Sequence, residues 1–159
     1  MSTRKLEGKT ALITGASKGI GKAIALALAE AGARLVLVSR NLELLNETAA
    51  AIRKLGAEAS VFQTDVTDEA QVLRLEKAVA GECGKVQILI NNAGMNLRKP
   101  VTEFTLAEWR QVTDTNLNSA FLMCRSFVPQ MRGHGYGRIL NLTSRQKRNG
   151  ISQFGSSPR

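Results

Sequence analysis

The residues best placed to do chemistry lie in two glycine-bearing turns, Thr14-Gly15-Ala16-Ser17-Lys18-Gly19-Ile20-Gly21 and Asn91-Asn92-Ala93-Gly94. In the first, Gly15 permits a tight turn and Gly19 lets the backbone approach a pyrophosphate. Gly21 lets the following helix lie close on the preceding strand. A helix that starts there offers free N–H groups and a partial positive charge to an anion. Ser17, Lys18 and Ile20 complete this phosphate-binding turn. A glycine triplet gains meaning only with a strand before it and a helix after it.

A third position bears on which nucleotide fits. The second apolar run ends Val38-Ser39-Arg40, with no acid until Glu43. An NAD site places a carboxylate there for the ribose 2′-hydroxyl. Arg40 instead suits a 2′-phosphate, and Lys18 can approach it from the other side. The expected cofactor is therefore NADP, with NAD less favoured.

The surrounding pattern supplies the elements these turns require. Strands are expected at Thr10 to Thr14, Arg34 to Ser39, Ala57 to Gln63, Val86 to Ile90 and Arg138 to Thr143. Between them run helical spacings. Ile20, Ile24 and Leu28 line one helix, ending at Gly32, where a left-handed cap suits glycine. Leu42, Leu45, Ala49, Ile52 and Leu55 line the next, closing at Gly56. Thr67 to Ala80 carries the seam Val72, Leu75 and Val79, with Thr67 or Asp68 as its cap. A helix over Leu106 to Thr113 precedes a longer one from about Asn116, with Leu117, Phe121, Cys124, Val128 and Met131 on one face. Alternating strands and helices with short crossovers predict an α/β fold, a Rossmann-type doubly wound parallel sheet of order 3-2-1-4-5. Its ligand crevice opens where the winding reverses, at the carboxyl ends of strands one and four. Both glycine turns fall there.

Composition excludes other classes. The 159 residues carry 22 Lys+Arg against 13 Asp+Glu, a net charge of +9, with 43% hydrophobic residues. This suits one globular domain and not a disordered chain. No apolar run approaches the ~20 residues of a membrane span, and Met1 to Lys9 lacks a secretory apolar stretch. A cytoplasmic location is expected, with no membrane partner. Cys83, Cys124 and the single histidine, His134, make neither a disulfide framework nor a metal site. Arg145, Lys147, Arg148 and Arg159 give the last fifteen residues four basic groups and no acid. Residues 145–159 are read as a basic polar tail, after a nucleotide-binding unit over 1–144. An aromatic content of 4% offers few stacking surfaces, so nucleic acid is not an expected partner.

The spacing Thr-Gly-x-x-x-Gly-x-Gly and the Asn91 to Gly94 run resemble those of the short-chain dehydrogenase/reductase family. Asp65-Val66, Asn116 and Ser144 fall where that family has counterparts, and the resemblance covers about residues 6 to 144. Within the family, the general pattern is similar to 3-oxoacyl-carrier-protein reductases. Asn91 to Phe104 is similar to keto-sugar-acid reductases such as gluconate 5-dehydrogenase. The resemblance implies hydride exchange between a nicotinamide and a small carbonyl/alcohol substrate. It implies that Asp65 and Val66 contact adenine and that Asn92, Ala93 and Gly94 pack beside the ribose. It makes Ser144 the hydrogen-bonding partner of the substrate oxygen and Asn116 the holder of a proton-relaying water.

The family's Tyr-x-x-x-Lys is absent. Its tyrosine is expected about a dozen residues after Ser144, around Ser156 to Pro158, where no tyrosine stands. Tyr136 precedes the fifth strand, at its other end. The expectation is a sheet truncated after strand five, with the parent activity lost or nearly lost. The alternative is a non-catalytic NADP-binding or interaction module that pairs with a second copy or with a full-length relative.

Overall fold

Runs such as Thr10-Ala-Leu-Ile-Thr14 and Arg34-Leu-Val-Leu-Val-Ser39 have almost no polar interruption, so they are stable only where both faces are covered. The computed structural model describes residues 4–133 and 135–143, and shows that arrangement. Its strands are β1 (Thr10–Thr14), β2 (Arg34–Ser39), β3 (Ala59–Gln63), β4 (Ile88–Asn91) and β5 (Arg138–Asn141). Its α-helices are α1 (Gly19–Glu30), α2 (Leu42–Lys54), α3 (Glu69–Glu82), α4 (Leu106–Thr113) and α5 (Ser119–Met131). A π-helical turn, Asp114–Asn118, joins α4 to α5.

The strands form one sheet of order β3-β2-β1-β4-β5. Every neighbouring pair is parallel, with Leu12 opposite Val36 on one side and Leu89 on the other. This is the Rossmann-type doubly wound sheet that the alternating pattern predicts. β3 and β4 each begin two residues later than the apolar pattern suggests, at Ala59 and Ile88. The preceding residues serve as approach loops, and Gln87 N donates to the Thr10 carbonyl at 3.0 Å.

Alternate strand residues feed two separate cores, as a pleated strand requires. Ala11, Ile13, Leu35 and Leu37 meet Ala25, Ala29, Leu45, Ala49 and Ile52 of α1 and α2. Leu12, Val36, Val38 and Leu89 face the other way, onto Val72, Leu75, Val79, Met123 and Phe127 of α3 and α5. Burying each large side chain contributes about 1.5–3 kcal/mol, so both layers hold the sheet rigid beneath the turns.

The helix starts follow side-chain chemistry. Asn41 Oδ1 accepts from Leu44 N at 2.9 Å, and Asp68 Oδ1 accepts from Gln71 N at 3.1 Å. The Gln71 side-chain amide and backbone N–H together hold the Asp68 carboxyl below its usual range. Thr105 and Glu108 form a reciprocal capping box on α4. These oxygens satisfy N–H groups that the first turn of a helix leaves unpaired.

The apolar stripe that includes Leu117 and Phe121 is only partly covered along α5. Ser119, Met123 and Phe127 are the buried residues, whereas Phe121 is 59% and Leu117 64% exposed. Cys124 and Met131 lie between these stripes, partly buried against the core. The π-helical turn carries Leu117 and leads directly into α5. Arg125 stacks over the Phe121 ring, 5.3 Å from its centroid, and pairs with Glu69. β5 is exposed along its length, with Ile139 and Leu140 open to solvent.

Candidate functional site

At the carboxyl ends of β1, β2, β3 and β4 lies a cleft of about 380 Å³. It is lined by Gly15, Ser17, Lys18, Gly19, Ile20, Arg40, Asp65, Val66, Asn92, Ala93 and Gly94. Separate stretches of sequence therefore converge on one place. Val38, Ser39, Thr64, Thr67 and Thr115 also line it, each within two positions of a residue singled out from the sequence.

The first turn is built by its glycines. Gly15 has φ +66°, and Gly19 φ +57°, conformations that side chains rarely adopt. A Cβ at Gly19 would meet nothing within 4 Å, so its open side faces the cleft. Gly21 does not line the cleft but sits behind it. A Cβ there would lie 2.2 Å from the Gly15 carbonyl oxygen and 2.5 Å from Asn92 Nδ2. Gly21 thus lets α1 seat against the turn, as its spacing predicts.

The second turn is tied to the first through Thr14. Its hydroxyl oxygen accepts from Asn92 N at 3.0 Å and from Ala93 N at 2.9 Å. It donates in turn to the Ile90 carbonyl at 3.4 Å. Asn92 Nδ2 donates to the carbonyls of Thr14, at 3.1 Å, and Gly15, at 3.2 Å. Thr14 is 1% exposed. A polar residue closing an otherwise apolar strand was the signal that could have marked it. Ser17 is anchored similarly: its hydroxyl accepts from Ser39 Oγ at 3.1 Å, and its carbonyl accepts from Thr48 Oγ1 at 3.4 Å.

The start of α1 differs from those of α2, α3 and α4. Lys18 occupies the cap position with extended backbone, no side chain caps the helix, and its first turn carries no acid. Its N–H groups and partial positive charge face the cleft uncompensated. An anion fits there. Arg40, with its side chain 76% exposed, stands on the rim near Asp65.

A second cavity, about 520 Å³, adjoins the first and shares Ile20, Asn92, Ala93 and Gly94 with it. Met95, Asn96, Asn116, Leu142 and Thr143 complete its lining. Asn116 does not cap a helix; it lies inside the π-helical turn. Its Oδ1 accepts from Met95 N at 2.7 Å and its Nδ2 donates to Met95 O at 2.8 Å. A Cβ on Gly94 would lie 3.2 Å from Asn116 Oδ1, so a glycine there admits this close approach. Further along the same loop, Lys99 Nζ bonds both Glu108 carboxylate oxygens, at 2.7 and 2.6 Å. The Lys99 bond, then the backbone and hydroxyl of Thr105, lower the Glu108 pKa to about 2.

Ser144 and residues 145–159 lie outside the described residues, as does His134. The Tyr136 ring lies between Lys9 Nζ, 4.6 Å from its centroid, and Arg138 Cζ, at 4.7 Å. This is the amino end of β5, opposite the cleft. Among the described residues, no group of His, Cys, Asp or Glu could hold a metal ion. No described helix is long and apolar enough to cross a membrane.

A parallel sheet of this order, with a glycine turn and an uncapped helix start at its switch point, defines the Rossmann class of nucleotide-binding folds. The particular family follows from comparison. The family model described as short chain dehydrogenase matches residues 9–156, and the chain belongs to that family. It is 38% identical over 152 residues to gluconate 5-dehydrogenase of Gluconobacter oxydans (strain 621H), covering 94% of this chain and 59% of that protein. It is 41% identical to D-threitol dehydrogenase of Mycolicibacterium smegmatis, covering 88% of this chain and 54% of the relative. Among solved structures it is similar to a 7α-hydroxysteroid dehydrogenase in complex with NADH and 7-oxo-glycochenodeoxycholic acid. There the TM-score is 0.84 at 37% identity, covering 90% of this chain and 56% of that one. It is also similar to a metagenomic short-chain oxidoreductase in complex with NADP, with TM-score 0.81 at 34% identity, covering 85% and 62%. The chain thus spans 59% of the gluconate 5-dehydrogenase and 54% of the D-threitol dehydrogenase, little more than half of either relative.

Proposed function

We propose that the cleft binds NADP(H) and that this chain is the nucleotide-binding part of a carbonyl/alcohol oxidoreductase acting on a small molecule. The observation that carries this reading is the start of α1: an uncapped helix N-terminus, behind a glycine turn, facing the cleft. Pyrophosphate oxygens accept from N–H groups there, and Gly19 offers no side chain to keep them away. Asp65 and Val66 border the adenine side, while Asn92 to Gly94 border the ribose. When bound, NADPH supplies the hydride. Arg40 and Lys18 favour a 2′-phosphate, and Ser39-Arg40-Asn41-Leu42 contains no carboxylate to bind a free 2′-hydroxyl.

Asn116 holds the loop through Met95 beside the second cavity, where the nicotinamide and substrate would meet. Ser144 is assigned to the substrate oxygen from its place in the family pattern. The chain has no Tyr-x-x-x-Lys, so by itself it lacks the usual proton donor. Our reading is that these 159 residues bind the nucleotide without turning substrate over. Free thiols at Cys83 and Cys124 fit a reducing, cytoplasmic setting.

Calorimetric titration of the purified chain with NADPH and NADH tests this. Saturable NADPH binding is expected, tighter than NADH, and Arg40→Gln should cut the preference roughly tenfold. Absence of saturable binding, or a preference untouched by Arg40→Gln, would refute the reading. Exposed Phe121, Leu117, Ile139 and Leu140 favour a second reading, in which the unit also associates with another copy or a longer relative. Light scattering across a concentration series separates that from a monomer.

A further inference from the structure

Two opposite charges on the cleft rim face each other: Arg40 Nη1 lies 4.0 Å from Asp65 Oδ2. The backbone at Arg40 is fixed, because its carbonyl accepts from Gln63 Nε2 at 2.9 Å. Asp65 is fixed more firmly. Its Oδ1 accepts from Thr67 N at 3.0 Å and Thr67 Oγ1 at 2.7 Å, and its own N–H donates to Gln71 Oε1 at 2.9 Å. Those bonds leave Oδ2 as the oxygen turned to the guanidinium. A separation of 4.0 Å is a charge contact and not a hydrogen bond. The side chain of Arg40 is held loosely and can turn to another anion.

We propose that Asp65 sets the margin by which the cleft prefers NADP(H) over NAD(H), by opposing Arg40. The proposal rests on the reading of this cleft as an NADP site. The Asp65 carboxylate offsets part of the Arg40 charge before a nucleotide arrives. A 2′-phosphate must draw the guanidinium from that carboxylate and then share the rim with it, like charge beside like charge. Both effects weaken the phosphorylated nucleotide, and neither acts on one with a free 2′-hydroxyl. For a pair this exposed the margin is roughly three- to fivefold in affinity, and it shrinks as salt screens the rim.

The test is Asp65→Asn in the full chain, with NADPH and NADH affinities measured by calorimetry at low and high salt. Asparagine keeps an acceptor for Thr67, so the turn is retained. NADH reports what the substitution does to the rest of the cleft, and the affinity ratio isolates the 2′-phosphate. The ratio should rise roughly three- to fivefold at low salt and less at high salt. In an Arg40→Gln background the same substitution should give a smaller gain, since only the direct repulsion between carboxylate and phosphate is then relieved. An unchanged or lower ratio overturns the proposal, and wild-type NADPH binding in the same experiment leaves the NADP reading standing. A wild type that binds neither nucleotide overturns both. If Asp65→Asn melts early, Asp65→Ser, also a turn-forming acceptor, decides by the same ratio.

Discussion

Replacing Gly21 with alanine adds one methyl group at the point where α1 meets the strand turn. That methyl would sit 2.2 Å from the Gly15 carbonyl oxygen, 2.9 Å from the Gly15 carbonyl carbon and 2.5 Å from Asn92 Nδ2. Two of these neighbours are backbone, and the third is held by bonds to the Thr14 and Gly15 carbonyls. None can swing aside cheaply. Ordinary contact requires α1 and the turn to part by about 1 Å, an overpacking cost of about 1–3 kcal/mol in a close-packed interior. Alanine's better helix propensity returns about 0.8–1 kcal/mol, leaving a net loss of up to about 2 kcal/mol. For a chain of this size that lowers Tm by up to about 8 °C.

The control is Gly81→Ala, also inside a helix, where a Cβ meets nothing within 4 Å and φ is not positive. It should stabilise by about 0.4–1 kcal/mol. Urea unfolding of both variants, followed by NADPH titration, checks the pair. Gly21→Ala should also bind NADPH more weakly, since the displaced turn carries Gly15 and Gly19. A Gly21→Ala protein as stable as wild type and binding NADPH equally well would refute the close-approach account of the glycine turn.

Thr14→Val keeps shape but removes the acceptor shared by Asn92 N and Ala93 N. With two partly buried donors losing their shared acceptor, a loss of about 1–3 kcal/mol is expected in urea unfolding, with weaker NADPH binding. The depressed Glu108 pKa carries a pH signature. Its stabilisation is fully present above the unfolded value near 4.5 and is lost as pH falls through about 2. The stability gap between wild type and Glu108→Gln, measured by thermal unfolding across that range, should close toward pH 2 and stay constant from pH 5 to 7.

What the sequence made legible was whatever depends on short-range pattern. β1, β2 and α4 fall where periodicity places them, because Thr10–Thr14, Arg34–Ser39 and Leu106–Thr113 are bounded by turn and cap residues. Strand order and the converging glycine turns followed from crossover rules. How far the α5 stripe is covered was not legible locally: Cys124 packs on the core while Phe121 stays exposed, and that division depends on where α3 and the sheet lie. Ser39 and Thr48 were silent, since their roles depend on the hydroxyl and carbonyl of Ser17 in a distant turn, whereas Thr14 was marked by closing an apolar strand. The loose Arg40–Asp65 contact arises from register between β2 and β3, with Ser39 opposite Gln63. Spacing along the chain does not encode it.

The start of α1 shows stability yielding to the site. Asn41, Asp68 and Thr105 each give an oxygen to the helix they open, while α5 continues from the π-helical turn. A comparable cap at Lys18 would stabilise α1 by about 1 kcal/mol, yet it would place an oxygen where the helix can receive a phosphate. The chain instead presents lysine, and follows it with a positive-φ glycine. Neither choice favours folding. The surroundings offset both: Thr14, Asn92, Ser39 and Thr48 bind the turn from three directions, and the alanine face of α1 lies buried against the sheet. A turn so heavily braced, with its helix left open toward a cleft, is what the proposed nucleotide site requires, since a phosphate would complete it.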